Sequence, residues 1–218
     1  MLTLQVATRA VLMGLPFAVA IALLLSRTRF PGRSLLDTLV HLPLVLPPVV
    51  VGWLLLLIFG LRGLIGGWLY SALGVRLVFT TEGAALACAV MSFPLMVRTI
   101  RLSLDAIDPG LVQAARSLGA GPLDRLMSLV LPLALPGILV GAITAFVACL
   151  GEFGAVITFA ASIPGQTQTL PLAIYAALQQ PNGENVAARL SLVSLVLATL
   201  GLLGSEWVNR ILRARIGR

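Results

Sequence analysis

The sequence contains no lysine, and charged residues of any kind are scarce. Only 11% of the 218 residues are Asp, Glu, Lys or Arg, whereas an ordinary soluble domain has about 25%. A phosphate-binding P-loop requires its lysine, and so does Schiff-base chemistry. The chain therefore cannot itself be a standard P-loop ATPase, and any uphill work must draw its energy from a partner or an ion gradient.

Histidine and cysteine are nearly as rare as lysine. His41 is the only histidine, and Cys88 and Cys149 are the only cysteines, both lying in apolar runs. We therefore expect no His-based metal site and no disulfide framework, and we interpret the cysteines as buried apolar residues. Because no nucleophile and base are paired in any motif, the sequence predicts no catalytic residue, no metal site and no enzymatic activity.

Apolar residues dominate what is present. They make up 59% of the chain, and the mean hydropathy is +1.04, which a water-soluble fold of this size could not bury. The composition predicts an all-α integral membrane protein with a single transmembrane domain over residues 1–218. A spanning helix needs roughly 20 apolar residues. Five stretches qualify, at about 2–25, 42–61, 83–104, 133–159 and 190–211.

The arginines predict the orientation of the chain. Eleven of the 15 lie in the loops or at the span ends on one side (Arg27, Arg29, Arg33, Arg98, Arg101, Arg116, Arg125, Arg210, Arg213, Arg215 and Arg218). Three fall on the other side (Arg62, Arg76 and Arg189), and Arg9 lies inside the first span. Since cytoplasmic loops are enriched in positive charge, we expect the N-terminus outside and the C-terminus in the cytoplasm.

The stretch 164–180 raises the question of a sixth span. Pro164 and Gly165 indicate a turn, and Thr169 is a suitable N-cap for a short helix over 172–179 with Pro171 at its start. Such a helix is too short to cross a bilayer. We therefore predict an external surface helix and five spans, with six spans as the second choice.

The segment between the third and fourth spans predicts a short cytoplasmic helix over 109–118. Asp108 is a good N-cap before Pro109, and Gly119 is a typical C-terminal stop. Four residues share an apolar face at helical spacing: Leu111, Ala114, Ala115 and Leu118. A helix lying on lipid usually carries several cations, whereas this one has only Arg116. Docking into a protein groove is the favoured interpretation.

The same segment resembles the "EAA" loop of ABC-importer permeases, which reads Glu-Ala-Ala, three residues, Gly, nine residues, Ile-x-Leu-Pro. Here the pattern is Gln113-Ala114-Ala115, then Gly119, then Leu129-Val130-Leu131-Pro132. Gln113 replaces the glutamate and Leu129 replaces the isoleucine. The resemblance implies that the helix is a coupling helix, and the differences weaken a salt bridge from position 113 to an ATPase.

Further segments resemble molybdate permeases in particular: 41–52, 92–98, 117–121, 131–137 and 150–155. The resemblance implies the fold of a type I ABC-importer permease in a bacterial inner membrane. It also implies a homodimer above two cytoplasmic ATPase subunits, fed by a periplasmic molybdate-binding protein. ATP and Mg would bind the ATPases, so this chain needs no cofactor, and no nucleic-acid partner is expected. Sulfate/thiosulfate and tungstate permeases are alternatives because they share much of the pattern.

Glu152 is an acidic residue predicted to lie within the fourth span, beside Gly151 and Gly154. It lies about 28 Å along a helix from Leu133, near the outer boundary. A carboxylate would repel a dianionic cargo, so we interpret Glu152 as a structural or gate residue, or as a contact for the binding protein. It could pair with Arg62 or Arg76, or accept hydrogen bonds. The possible path-lining residues are Ser92, Thr99, Ser103, Thr144 and Thr158.

Other classes of membrane protein fit less well. An ion-coupled carrier commonly has internal repeats and ionisable groups at the midplane. The sequence shows no repeat, and Glu152 is predicted away from the midplane. A passive channel would not need a capped docking helix. Co-purification of an ATP-hydrolysing subunit would distinguish these classes from an importer.

Overall fold

A computed structural model describes residues 1–28 and 30–216 of the chain. The described part contains helices and no strand. The α-helices in chain order are α1 (Leu2–Arg27), α2 (Arg33–Val45), α3 (Pro48–Phe59), α4 (Gly66–Leu73), α5 (Thr81–Asp105), α6 (Pro109–Ser117), α7 (Pro122–Arg125), α8 (Leu131–Leu150), α9 (Gly154–Ala160), α10 (Leu170–Leu178) and α11 (Glu184–Ile216). A π-helical turn, Leu126–Val130, joins α7 to α8.

Helix α5 lies at the centre of the bundle, packed between α1 and α8. Helix α1 presents small residues to it at four-residue spacing: Gly14, Ala18 and Ala22. Helix α8 does the same with Gly137, Gly141 and Ala145. Small residues allow apolar helices to approach closely, and van der Waals packing is a main attraction between helices in lipid. These stripes explain why α5 is the most buried of the candidate spans.

Polar contacts join the helices at both ends of the bundle. At the end where α1 begins, Nη1 of Arg9 lies 2.6 Å from Oε1 of Glu82, and Thr3 Oγ1 accepts the backbone N–H of Leu170 at 2.9 Å. At the opposite end, Ser26 Oγ donates to Oδ1 of Asp105 at 2.5 Å. The ion pair explains how the arginine inside the first predicted span is accommodated.

The second predicted span is not one helix, which corrects the expectation for 42–61. Helices α2 and α3 meet at a bend of 118°. Pro47 and Pro48 lack backbone N–H groups, and a residue before proline is driven out of the α region. Leu46 and Pro47 accordingly have extended ψ values of 143° and 134°. The bend leaves α3 with 12 residues, or about 18 Å of helix.

The fourth predicted span, 133–159, is also interrupted. Helix α8 ends at Leu150, and the separate short helix α9 follows after three residues. At its other end the span extends back through the π-helical turn to Pro122. The turn immediately precedes Pro132, whose missing N–H and clash with the preceding turn disfavour regular α-helical hydrogen bonding there.

The remaining predicted spans match single helices. Helix α1 corresponds to the stretch at 2–25, α5 to 83–104, and α11 to 190–211, although α11 is longer at both ends. Within the described residues, four helices are long and apolar enough to cross a bilayer, and the bent pair α2–α3 passes the same test only when its two helices are taken together. Arg29 and Arg218, part of the predicted charge asymmetry, lie outside the described residues, as do the side chains of Arg213 and Arg215.

The predicted external helix exists as α10, which begins two residues earlier than expected. Its nine residues cannot span a bilayer. Leu172 is fully buried, and α10 packs mainly against α11. The loop before it is held by the buried hydroxyl of Thr167, which donates to the Ala161 carbonyl at 3.0 Å and accepts from Ile163 N–H at 2.9 Å. One face of α10 therefore belongs to the interior of the chain.

Candidate functional site

Helix α6 is closed at both ends by local hydrogen bonds. Oδ1 of Asp108 accepts the backbone N–H of Gly110 at 2.7 Å, and Pro109 occupies the first turn. At the other end, Gly119 has φ +86° and donates to the Arg116 carbonyl, while Ala120 donates to the Ala115 carbonyl, both at 3.0 Å. This is the Schellman pattern of a helix stop. The sequence alone predicted these boundaries within one residue.

Most of the α6 surface is not covered by the rest of the chain. None of its residues is buried, and Leu118 just beyond it is 88% exposed. The predicted apolar face is only partly covered, since Ala115 is half-buried whereas Leu111, Ala114 and Leu118 are exposed. The polar residues of the helix are also exposed: Gln113, Arg116 and Ser117. Leu123 and Met127 extend the exposed apolar surface beyond α6. We call Leu111, Ala114, Leu118, Leu123 and Met127 the inner patch, and we call this end of the bundle the inner end, after the cytoplasmic side on which the arginine distribution predicts them to lie.

The inner patch is connected to two of the long helices. Ile107 is buried and Val112 packs against the core formed by the inner ends of α1, α5 and α8. On the other side, α7 and the π-helical turn lead without a break into α8 through Leu131 and Pro132. A displacement of α6 would therefore be passed to both α5 and α8 through helices and packed side chains.

Glu152 lies in the break between α8 and α9. Its Oε1 accepts the backbone N–H of Ala155 at 2.9 Å, which satisfies a free donor in the first turn of α9. Within the described residues Glu152 forms no ion pair, so of the two predicted options the pairing with Arg62 or Arg76 is not present and a hydrogen bond is accepted instead. The residue instead lines a small cavity of about 50 Å³ beside Cys88, Ser92 and Cys149.

The hydrogen bond from Ala155 N–H predicts how substitutions of Glu152 behave. Glu152→Gln keeps an acceptor oxygen, so we expect its thermal unfolding midpoint in detergent to stay near that of the wild type. Glu152→Ala removes the acceptor and should lower stability by about 0.5–2 kcal/mol. Thermal unfolding of the two purified variants measures the difference. Equal destabilisation by both substitutions would show that charge, not hydrogen bonding, is what matters.

Helix α9 crosses α3 at very close range. A Cβ on Gly154 would stand 2.7 Å from Cβ of Pro48, and one on Gly52 would stand 2.7 Å from Cβ of Thr158. Glycine is therefore required sterically at Gly154, a predicted gate residue. Gly151, the other flanking candidate, has room for a side chain, since the nearest atom to its Cβ would be 3.9 Å away.

The five predicted path-lining hydroxyls are distributed through the bundle. Ser92 is buried and donates to the Cys88 carbonyl at 2.9 Å, so it faces no surface of the described chain. Thr99, Thr144 and Thr158 are half-buried and donate to carbonyls one turn earlier in their own helices. Ser103 packs against Gly137 at the crossing of α5 and α8. The structure does not bring the five together into one site.

Sequence reasoning missed a charged cluster at the inner end of α2 and α5. Nη1 of Arg101 lies 3.0 Å from Oδ1 of Asp37, and Nε of Arg101 lies 3.6 Å from Oδ2 of Asp105. His41 Nδ1 donates to the Asp37 carbonyl at 2.8 Å. The spacing of Asp37 and His41 by one helical turn was the available signal, but the pairing with α5 depends on the tertiary fold.

The family model described as "Binding-protein-dependent transport system inner membrane component" matches residues 14–218. The molybdenum transport system permease protein ModB of Escherichia coli (strain K12) is 56% identical over 218 residues, covering all of this chain and 95% of that protein. The protein of the same name in Haemophilus influenzae is 48% identical over 217 residues, covering 100% of this chain and 95% of that protein. The sulfate transport system permease protein CysT of E. coli K12 is 36% identical over 199 residues, covering 89% of this chain and 72% of that protein.

Comparison with solved structures supports the same fold. A chain of a bacterial alginate ABC transporter, crystallised with an alginate pentasaccharide-bound periplasmic protein, superimposes with a TM-score of 0.74. The sequence identity is 19%, and the match covers 97% of this chain and 77% of that chain. The predicted all-α permease fold of an ABC importer is therefore confirmed.

Proposed function

The chain belongs to the family of binding-protein-dependent transport system inner membrane components, and from that membership we propose that it moves molybdate across the bacterial inner membrane as the permease of an ATP-driven importer. The observation that carries the proposal is α6, a helix closed at both ends that leaves Leu111 and Ala114 exposed, with Leu118 just beyond it. The chain itself has no lysine for nucleotide chemistry. An exposed apolar patch of this kind is typical of a docking surface.

We assign the inner patch to a groove on a cytoplasmic ATPase that binds ATP and Mg. Closure of two ATPases would bring together the α6 helices of two permease copies. The connections of α6 to α5 and α8 would then convert that movement into a rigid-body switch between inward-facing and outward-facing states. A two-fold homodimer is the expected arrangement, since five spans are too few to enclose a path. The N-terminus would lie outside and the C-terminus inside.

Molybdate is favoured over sulfate as the cargo because of the pattern of identities. The molybdenum permeases match the full chain at 56% and 48% identity, whereas the sulfate permease matches at 36%. A periplasmic binding protein would select the ion and deliver it to the outer face. The permease then needs to pass a tetrahedral dianion without holding it tightly.

Reconstitution tests the proposal directly. The chain would be placed in proteoliposomes with its ATPase and its binding protein, and ATP hydrolysis and ion uptake would be measured with molybdate, tungstate or sulfate. We expect molybdate-loaded binding protein to stimulate both activities. Uptake by the permease without the ATPase, driven by a proton or sodium gradient, would overturn the proposal in favour of an ion-coupled carrier.

Gly119→Val should disturb the stop of α6. A β-branched residue at φ +86° costs about 1–2 kcal/mol or more, so the chain would leave the Schellman turn and move Leu118. We expect stimulated ATP hydrolysis to fall about fivefold or more, the rate change that such a strain energy represents. Gly121→Val is the matched control, because Gly121 has φ −66° and open space around it. Equal effects of the two substitutions would contradict the role of the turn.

A further inference from the structure

A cavity of about 390 Å³, lined mainly by residues with ionisable side chains, opens at the inner end of the bundle, between α2 and α5. Its lining consists of Asp37, His41, Arg98, Arg101, Leu102 and Asp105. We call it the inner cavity. Two arginines and a histidine in one cavity are a concentrated set of anion-binding groups in a chain with so few charges.

The two carboxylates of the inner cavity are already engaged. Asp37 is paired with Arg101 and lies 3.4 Å from Nδ1 of His41. Asp105 accepts from Ser26 and faces Nε of the same arginine. Arg98, in contrast, forms no ion pair with any acidic side chain in the part of the chain that the structure describes. Arg98 is therefore the cation of this cavity whose charge is not compensated.

The position of Arg98 favours contact with water over contact with lipid. The residue lies in the long apolar helix α5, about 10 Å before its inner end, and its side chain is exposed. An arginine within a span faces a bundle interior or a water-filled space, because contact with lipid is costly. Since the chain by itself does not cover Arg98, the aqueous space lies outside this single copy. In the proposed importer that space is the inner part of the path.

We propose that the inner cavity is a transient binding station for the transported tetrahedral oxyanion, with Arg98 as the group that contacts the ion. The proposal rests on the function proposed above. A guanidinium offers several N–H donors in a planar fork that matches the oxygens of an oxyanion. Arg101, held between Asp37 and Asp105, adds positive charge nearby. The two carboxylates keep binding weak, which suits a site that the ion must leave.

Molybdate uptake by Arg98 variants tests the station. Each variant is measured in the complete complex, reconstituted in proteoliposomes. We expect Arg98→Gln to lower molybdate uptake about tenfold, because one charge-assisted interaction with the ion is lost. Stimulated ATP hydrolysis should stay within about twofold of the wild-type rate. Arg98→Lys should retain most of the uptake. Arg210→Gln is the control, because it removes an exposed arginine near the same predicted side, outside the cavity. Wild-type uptake by Arg98→Gln, or a parallel loss of uptake and ATP hydrolysis, would overturn the proposal.

A labelling experiment tests binding without requiring transport. Leu102→Cys places a reactive thiol in the inner cavity, while the natural Cys88 and Cys149 are buried. In the permease–ATPase complex, an anionic methanethiosulfonate reagent should label this thiol. Millimolar molybdate should slow the labelling, and chloride at equal ionic strength should not. Arg98→Gln should abolish the protection.

The outcomes separate this station from the general function. Protection that persists in the Arg98→Gln variant, or that never occurs in the Leu102→Cys protein, would overturn the station while leaving the importer proposal intact. A wild-type complex that fails to take up molybdate, yet shows Arg98-dependent protection, would overturn the proposed cargo and keep an oxyanion site. Absence of any labelling would show that the inner cavity does not face water, and the station would be rejected.

Discussion

Leu118→Asp should separate the permease from its ATPase. The side chain is 88% exposed in the single chain, so the substitution leaves folding and membrane insertion nearly unchanged. In the proposed complex, however, an apolar groove would have to accept an unpaired carboxylate, which costs several kcal/mol. We expect ATPase co-purification and binding-protein-stimulated hydrolysis to fall by about tenfold or more. Affinity purification of the tagged permease, followed by quantification of the ATPase subunit, measures the effect.

Leu64→Asp is the matched control for this substitution. Leu64 is equally exposed, at 88%, and lies between α3 and α4 at the opposite end of the bundle from α6. It should therefore leave ATPase co-purification at the wild-type level. If Leu118→Asp retained the ATPase fully, the inner patch would not be the docking surface. If both variants lost it, the effect would reflect folding and not docking.

Gly137→Leu should prevent the bundle from assembling. A Cβ at this position would stand 2.2 Å from Cβ of Ser103 and 3.2 Å from the Thr99 carbonyl oxygen, where α8 crosses α5. These atoms belong to or adjoin the helix backbone and cannot rotate away. Overpacking costs about 1–3 kcal/mol or more, so the folded fraction should fall about tenfold. Fluorescence-detected size-exclusion chromatography of the solubilised variant gives the monodisperse fraction.

Two further variants make the test of the crossing specific. Gly204→Leu introduces the same side chain into another apolar helix, at a position with nothing within 4 Å of the added Cβ, and should fold normally. Gly137→Ala should also reduce the folded fraction, and adding Ser103→Gly should restore much of it by removing the opposing Cβ. Normal folding of Gly137→Leu would mean that α5 and α8 do not cross as closely as the structure shows.

Local sequence signals predicted α6 well because its boundaries depend on neighbouring residues alone. Asp108, Pro109 and Gly119 act within one helical turn through the hydrogen bonds that they make or cannot make. The long apolar helices could also be predicted from the sequence, since length and hydropathy decide whether a segment can span a bilayer. The interruptions in the second and fourth spans were harder to predict. Pro47 and Pro48 disfavour a continuous helix at the break, but the size of the bend depends on where α3 packs against α9.

The roles of polar residues in the apolar segments depended on how the helices pack. Glu152 could have paired with an arginine by sequence alone, yet it caps the first turn of α9. Ser92 was a candidate for the path and lies in the interior. Arg98 was counted only toward the orientation of the chain, although it lines the inner cavity. The hydrogen-bond partners of Glu152 and Ser92 are close in sequence. The break before α9, the burial of Ser92 and the cavity beside Arg98 depend instead on the packing of several helices, which spacing along one helix does not reveal.

The sequence by itself determined the class of this protein, the membrane as its solvent, and the capped helix between the third and fourth spans. Composition and local hydrogen bonding are properties of short segments, and they act before any long-range contact forms. Only the tertiary structure decided which glycines permit close crossings, which cation lacks a partner, and which face of α6 stays uncovered. Those features are set by distances between helices that are far apart in the chain, and the apolar pattern of a membrane span carries little information about them.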